Sequence, residues 1–490
     1  MPLASIQYLF FLLISAVVFY SMPARIRWVW LLIVSLTFCA IVSPESLPIL
    51  LVLVLATFGF GLALETPSRT RKRIALYGGL AFLIGVLLAF KYSQLYGRLE
   101  LRLSVLTGRH PDAFFAGALL PLGLSFFIFT ALSYLFDVFH NRVPAERNIG
   151  RFALHLLFFT KLGQGPIERP GRFLPQLRAS MSFDESAIGE GLKRILWGFF
   201  KKMVIADRIA LYVNAVYGNA DRHNGTSLLL AALFYSFQIY TDFSAYTDIA
   251  LGSAQVFGLR LSENFRRPYF ARTIHDFWGR WHISFSTWLR DYLYLPLAYF
   301  LSGRLRKERY VKLPTEQLIF AFTTIVTFFV CGLWHGKGLN YIVWGLVFGV
   351  YIVIGRWTRR PRGRLRARLG LAKSRVLGPA IRILATFGMV TASWVFFRLP
   401  DLRTAVLVFR KIVAQPGIPF GYASPPMVLF PLLGIAFLLS VEAKEEFYHG
   451  PRSLFQNRRL SVRLASYALL VMIILSMGIL DGGQFIYFQF

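Results

Sequence analysis

Histidine is the side chain best suited to moving a proton near neutral pH, and two of the chain's eight histidines stand in unusual surroundings. His282 lies within Phe277-Trp278-Gly279-Arg280-Trp281-His282-Ile283-Ser284, a run of bulky aromatics interrupted by an arginine. His335 ends an apolar stretch through Cys331, Gly332, Leu333 and Trp334 and is followed by Gly336, Lys337 and Gly338, so its ring can reach a bilayer interior while the backbone bends. An imidazole so placed can take the proton of a hydroxyl as that hydroxyl attacks an acyl carbon, and partial desolvation keeps it neutral and ready to accept. The same two residues also read as hydrogen-bonded interior histidines, and spacing alone does not separate the readings. His275 precedes His282 by seven residues, can share a helix face with it, and is given a structural role.

Other chemistries lack their parts. No H-x-x-x-H or H-E-x-x-H spacing gathers metal ligands, and Cys39 and Cys331 sit in separate apolar stretches without a disulfide or zinc spacing. A G-x-S-x-G elbow is absent, as is a phosphate-cradling G-x-x-x-x-G-K-[ST] loop.

The elements that must hold the histidines are set by composition. Of 490 residues, 56% are hydrophobic and 16% aromatic, a balance suited to lipid and not to water. A bilayer-crossing helix needs roughly 20 apolar residues. Stretches near that length fall at 8–20, 28–42, 47–64, 74–90, 114–136, 227–243, 317–333, 341–354, 379–397, 428–441 and 464–480. These predict about eleven spans and an all-α polytopic membrane protein, because lipid offers the backbone no hydrogen-bond partners. The first segment has no basic leader or cleavage site and is read as a retained span.

The formal charge of +30 comes from 54 Lys and Arg against 24 Asp and Glu. The basic residues are scattered between spans, which points to cytoplasmic loops and anionic membrane lipids and away from nucleic acid. Basic loops holding Arg25 and Arg27, then Arg69, Arg71, Lys72 and Arg73, alternate with one, Ser43 to Pro48, that carries no basic residue, and this places the N-terminus outside. The stretch from Arg356 to Arg382 is predicted to be a cytoplasmic loop or interfacial helix, or else a docking surface for an anionic acyl carrier or coenzyme A phosphates.

One domain over 1–490 is expected, with N-terminal helices in 1–140, a catalytic core in 141–340, and C-terminal helices with an aromatic tail in 341–490. The core is broken by Pro166, Pro170, Pro175, Pro268 and Pro296 and carries Lys161, Glu168, Lys201, Lys202, Asp207, Asp242, Asp248, Asp276 and Asp291. Such residues survive at membrane depth only when protein or a water-filled cavity surrounds them, so re-entrant and interfacial helices around a central channel are predicted. A transporter or flippase could use the same polar interior, although no inverted repeat is evident.

Several strings, taken in order, resemble the membrane-bound O-acyltransferase family, in particular its bacterial alginate O-acetyltransferase branch. They are Leu120 to Phe127, Gly165 to Arg169, Gln238 to Ser244 with Glu263-Asn264-Phe265, Phe277 to Ser284, Trp288 to Tyr294, Gly332 to Gly336, and Trp394 to Arg398. The resemblance implies a ring of about 11–13 transmembrane helices around a tunnel joining a cytoplasmic donor side to an extracytoplasmic acceptor side of the bacterial cytoplasmic membrane. It implies that His335 is the catalytic histidine and His282 the second functional one, with Arg290, Asp291 and Trp334 supporting them or the substrate. It further implies acetyl-coenzyme A or another acyl donor as substrate, no metal, a polysaccharide acceptor, and an extracytoplasmic partner of the SGNH-hydrolase type. D-Alanyl transfer to teichoic acid is the alternative within the family. Tyr487, in an F-x-Y-x-x-F ending shared with this branch, is a candidate acyl relay, its hydroxyl able to carry the group as an ester; an aromatic anchor at the membrane boundary is the other reading.

Overall fold

The computed structural model describes residues 3–92, 121–179, 181–310, 312–421, 424–448, 459–479 and 485. Among these residues nine helices are long and apolar enough to cross a bilayer, and two shorter apolar helices, Ile6–Ser21 and Leu124–Phe139, accompany them. Each of the eleven stretches picked out by hydropathy contains or overlaps one of these helices. The part of the fifth stretch before residue 121 lies outside the described residues.

The chain forms two compact units. The first comprises 1–195 and 246–262. Its helices Ile6–Ser21, Arg27–Val42, Ser46–Ala63 and Arg69–Lys91 show how a sequence apolar on every side still chooses an inner face. In the first of them Tyr8, Leu12, Ser15 and Phe19 are buried, a stripe at helical spacing that contains its polar groups, while Phe10, Leu13, Ile14 and Val17 face outward as lipid would require. Tyr8 donates to Ser253 Oγ at 2.8 Å, and the buried Glu168 accepts from the Ser262 main chain and hydroxyl. Pro170 opens the helix Pro170–Arg178, where its missing N–H costs nothing.

The second unit comprises 196–245 and 263–490. It holds both singled-out histidines. Its centre is a pair of helices, Thr315–His335 and Leu339–Trp357, joined by a tight connection through Gly336, Lys337 and Gly338. A Cβ on Gly345 would lie 2.2 Å from the Phe328 carbonyl oxygen and 3.0 Å from the Gly332 nitrogen, so the two backbones touch, as small residues allow in membranes. Asn340 then ties the start of the second helix to the end of Leu377–Arg398, donating to the carbonyls of Phe396 at 3.2 Å and Leu399 at 2.9 Å.

Six of the nine charged residues expected in the polar core lie inside protein, and Asp248, Asp276 and Asp291 are half-buried. Lys161, Glu168, Lys201, Lys202, Asp207 and Asp242 are all buried. Two π-helical turns, Phe200–Ala206 and Arg290–Tyr294, interrupt this region, and the first carries Lys201 and Lys202. Widened turns of this kind are frequent at functional sites. The basic stretch folds as the helix Arg359–Arg368, none of whose residues is buried.

Candidate active site

His335 is the last residue of its helix and is 4% exposed. Four aromatic rings surround it. Trp334 lies 4.5 Å away between centroids, Trp344 stands edge-to-face at 4.9 Å, Phe397 at 5.2 Å and Phe285 at 5.9 Å. The glycine contact between its helix and the next brings Trp344 to the ring, and the Asn340 bonds bring Phe397. Aromatic faces carry negative potential, so this box can stabilise an imidazolium formed when His335 accepts a proton.

His282 is 1% exposed and has a left-handed backbone, φ 44° and ψ 52°, at the start of the helix Ile283–Leu289. A histidine in that region is held there by its surroundings at a cost of about 1–3 kcal/mol. Asn264 does the holding. Its main-chain carbonyl accepts from Ile283 N at 2.9 Å, and its side-chain Oδ1 accepts from Ser284 N at 3.2 Å and Ser284 Oγ at 2.9 Å. The same Oδ1 lies 3.1 Å from His282 Nδ1. Because a backbone N–H already fixes that atom as an acceptor, Nδ1 of His282 must be the protonated nitrogen, and the lone pair of the neutral ring is left on Nε2. Burial pushes the imidazole down to about 3, so it remains neutral across the physiological range.

The two imidazoles are joined by one run of aromatic contacts. His282 stacks on Phe285 at 4.9 Å and 29°, Phe285 on Trp334 at 4.4 Å and 30°, and Trp334 contacts His335. Phe243 closes the far side of His282 edge-to-face at 4.8 Å. The structure thus brings together His282, His335 and Trp334 from the sequence reading. Arg290 is exposed and pairs with Asp291 at 2.8 Å on the π-helical turn after the His282 helix; among the described residues Arg290 reaches neither histidine. Tyr487 lies outside the described residues. His275 does not share a helix face with His282: its own helix, Ile274–Trp278, ends before His282, which caps the helix Ile283–Leu289, and His275 is exposed.

Sequence reasoning missed three things. Asn264 was visible only as part of a string, since an asparagine has no spacing signature that announces a tautomer-fixing role. Phe285, Trp344 and Phe397 looked like ordinary span aromatics. The buried trio of Lys202 with Asp207 and Asp242, each contact 2.9 Å, joins residues up to 40 positions apart. Above the Lys202 ammonium, 4.5 Å from its centroid, sits the ring of Phe485, itself 1% exposed. The aromatic tail is therefore anchored in protein at this residue. Among the described residues no group of three or more His, Cys, Asp or Glu converges to hold a metal ion.

Two buried imidazoles are joined by one run of aromatic rings, His335 at the end of the span Thr315–His335 and His282 at the start of the short helix Ile283–Leu289. Residues 124–399, which include both, match the membrane-bound O-acyltransferase family. The chain is 36% identical over 287 residues to the probable alginate O-acetylase of Pseudomonas fluorescens, a match covering 59% of this chain and 53% of that protein. It thus spans about half the length of that relative. With the probable alginate O-acetylase of Pseudomonas syringae pv. tomato it shares 32% identity over 451 residues, 91% of this chain and 81% of the other. With the peptidoglycan O-acetyltransferase of Helicobacter pylori it shares 29% over 424 residues, 81% and 75%. The chain belongs to the membrane-bound O-acyltransferase family.

Proposed function

We propose that the protein is a membrane O-acyltransferase that moves an acetyl group from a cytoplasmic donor to a hydroxyl of an extracytoplasmic polysaccharide. The observation that carries this reading is the tautomer-fixed His282, stacked on Phe285 and through it on Trp334, whose ring in turn meets the aromatic-boxed His335 edge-to-face. The family supplies the reaction class, and the acetyl-transferring relatives favour acetyl over D-alanyl.

In this mechanism His335 is the base. It takes the acceptor hydroxyl proton as the oxygen attacks the acyl carbonyl; the new C–O bond forms, the bond to the donor's sulfur breaks, and the proton passes to the departing thiolate. His282, neutral and with its lone pair on Nε2, accepts a hydrogen bond from the hydroxyl or from His335 and orients it. No charge is buried until the transition state, where the aromatic box meets the imidazolium.

The donor is acetyl-coenzyme A or another acyl thioester on the cytoplasmic face of the bacterial inner membrane, with the N-terminus outside and a ring of helices around a tunnel between the two faces. Tyr487 supplies the first hydroxyl to be acetylated in the His335 step, and its ester then gives the acetyl group to a hydroxyl of a separate SGNH-type partner, whose proton returns to the Tyr487 oxygen, before the partner completes transfer to the polymer. His335→Ala, matched for membrane abundance with wild type, should reduce polymer O-acetyl content by about 10²-fold or more. Normal O-acetylation in that variant would remove His335 from the chemistry, and normal O-acetylation in Tyr487→Phe would remove the relay.

A further inference from the structure

The left-handed turn at His282 is part of a paired structure. Asn264 to Arg267 runs alongside Arg280 to Ile283, joined by Arg266 N donating to the Arg280 carbonyl at 2.9 Å and Ile283 N to the Asn264 carbonyl at 2.9 Å. Arg267 and His282 both take left-handed backbones, each with φ 44°. Residues other than glycine stay in that region only where their surroundings over-determine them.

Those surroundings include the last turns of the helix Pro426–Phe447, long and apolar enough to cross a bilayer. Glu446 there receives both segments on one carboxylate. Its Oε2 accepts from Arg267 Nε at 2.9 Å, and Arg280 Nη1 lies 3.0 Å from Oε1 and 3.0 Å from Oε2. Arg280 is fixed a second time by Asp276, whose Oδ1 accepts from its Nε at 2.8 Å. The Glu446 side chain is 14% exposed, and those of Arg267 and Arg280 are 26% and 18%, so these charge-assisted bonds are largely shielded from water. One turn earlier on the same helix face, Glu442 Oε1 accepts from the Tyr240 hydroxyl at 2.5 Å. The Tyr240 ring lies 5.8 Å from Phe265 and 6.1 Å from Trp281, the residues that follow Asn264 and precede His282.

We infer that Glu446 is a positioning residue for His282: by binding Arg267 and Arg280 together it sets Asn264 Oδ1 against His282 Nδ1 and so aims the lone pair on Nε2. The inference rests on the acyltransferase reading for what His282 orients, and it adds a residue on a distant helix that decides how the ring is aimed. Arg280 stands two residues before His282, and Arg267 three after Asn264. A shift of either guanidinium therefore passes to the 3.1 Å contact between the asparagine and the imidazole with little slack. Glu442 supports the same two segments through the Tyr240 ring.

The test reads the His282 proton directly, by solid-state NMR of the full-length protein, isotope-labelled at the histidine nitrogens, in phosphatidylcholine bilayers, with the His282 signal assigned by its loss in His282→Gln. Wild type should show one neutral tautomer with the proton on Nδ1. Glu446→Gln should show both tautomers, with kcat lowered about tenfold or more and KM for the acyl donor unchanged. Arg280→Lys keeps the charge but cannot hold Asp276 and Glu446 at once, so it should mix the tautomers even if Glu446→Gln folds poorly. Glu445→Gln removes the same charge from the neighbouring residue, whose ion pair is with Arg267 at 3.3 Å, and should keep the single tautomer. A His282 signal that stays on one tautomer in both Glu446→Gln and Arg280→Lys overturns the inference. Mixing of equal extent in Glu445→Gln overturns it too, by reducing the effect to net charge. Turnover at the wild-type rate on mixed tautomers would remove the aim of His282 from the reaction, and with it the role of Glu446. Because the tautomer is read without substrate, the expected mixing in a protein that transfers no acyl group would defeat the acyltransferase reading and leave the seat of His282 standing.

Discussion

Asn264→Leu is the most informative single change near the histidines. The asparagine Oδ1 accepts from His282 Nδ1, Ser284 N and Ser284 Oγ, and an apolar side chain of similar volume accepts from none of them. At about 1 kcal/mol for each hydrogen bond the loss in stability is about 3 kcal/mol, and more if the buried Ser284 N–H stays unsatisfied. The catalytic loss has a separate origin. Without Oδ1 the ring of His282 can place its proton on either nitrogen and turn, so turnover should fall about tenfold to a hundredfold beyond any loss of folded protein. Asn264→Asp separates the two effects, because it keeps an acceptor in place and adds a negative charge beside Nδ1. That charge favours the imidazolium, so the acid limb of kcat/KM should move upward by about one pH unit or more while the fold is retained. Stability carries the same signature. His282 in the wild type is held below its unfolded value by burial, so its contribution is present above about pH 6.5 and is lost as pH falls toward 3. In Asn264→Asp that loss should shrink. The assay is O-acetyl transfer across a pH series by purified protein in nanodiscs, with thermal unfolding measured on the same samples. A well-folded Asn264→Leu with wild-type turnover and an unchanged pH profile in Asn264→Asp would refute the assigned tautomer and its role.

Other outcomes follow from contacts already described. Gly345→Val puts branched carbon where the Phe328 carbonyl stands 2.2 Å from a Cβ, so the helix pair must part; expect about 1–3 kcal/mol lost and turnover reduced through a displaced Trp344. Thermal unfolding and activity of the same preparation would check it. Lys202→Met leaves Asp207 and Asp242 buried without their shared cation and should cost about 3–5 kcal/mol, read as loss of folded protein in the membrane, whereas Lys202→Arg should retain more. Phe285→Ala removes the ring between His282 and Trp334, and should cost about 3–5 kcal/mol in stability together with most of the activity.

The spans were legible because lipid imposes a severe rule: a helix of apolar residues is the economical way across, and hydropathy finds it. Which face of each helix turns inward was less legible, since Phe10 and Tyr8 look alike to a hydropathy window and only the small polar residues Ser15 and Ser35 mark the inner stripe. The two histidines could be found because imidazole is rare and its surroundings were odd. Their partners could not. Asn264 acts through a bond to a residue 18 positions away, and Trp344 and Phe397 reach His335 through glycine contacts and carbonyl bonds that exist only once three helices have packed. His275, which spacing allows to share a helix face with His282 but which reads as structural, is separated from it for a local reason: its helix ends at Trp278, and His282 caps the start of the next.

The most direct test of the account uses oriented membrane vesicles with acetyl-coenzyme A, labelled in the acetyl group, supplied only to the cytoplasmic face and the polysaccharide acceptor with its partner enzyme on the other. Label should appear on the acceptor with wild-type protein, fall by about 10²-fold or more with His335→Ala, and be absent when the labelled donor is confined to the acceptor side. Label reaching the acceptor through His335→Ala at the wild-type rate would contradict the central claim that this histidine drives acyl transfer across the membrane.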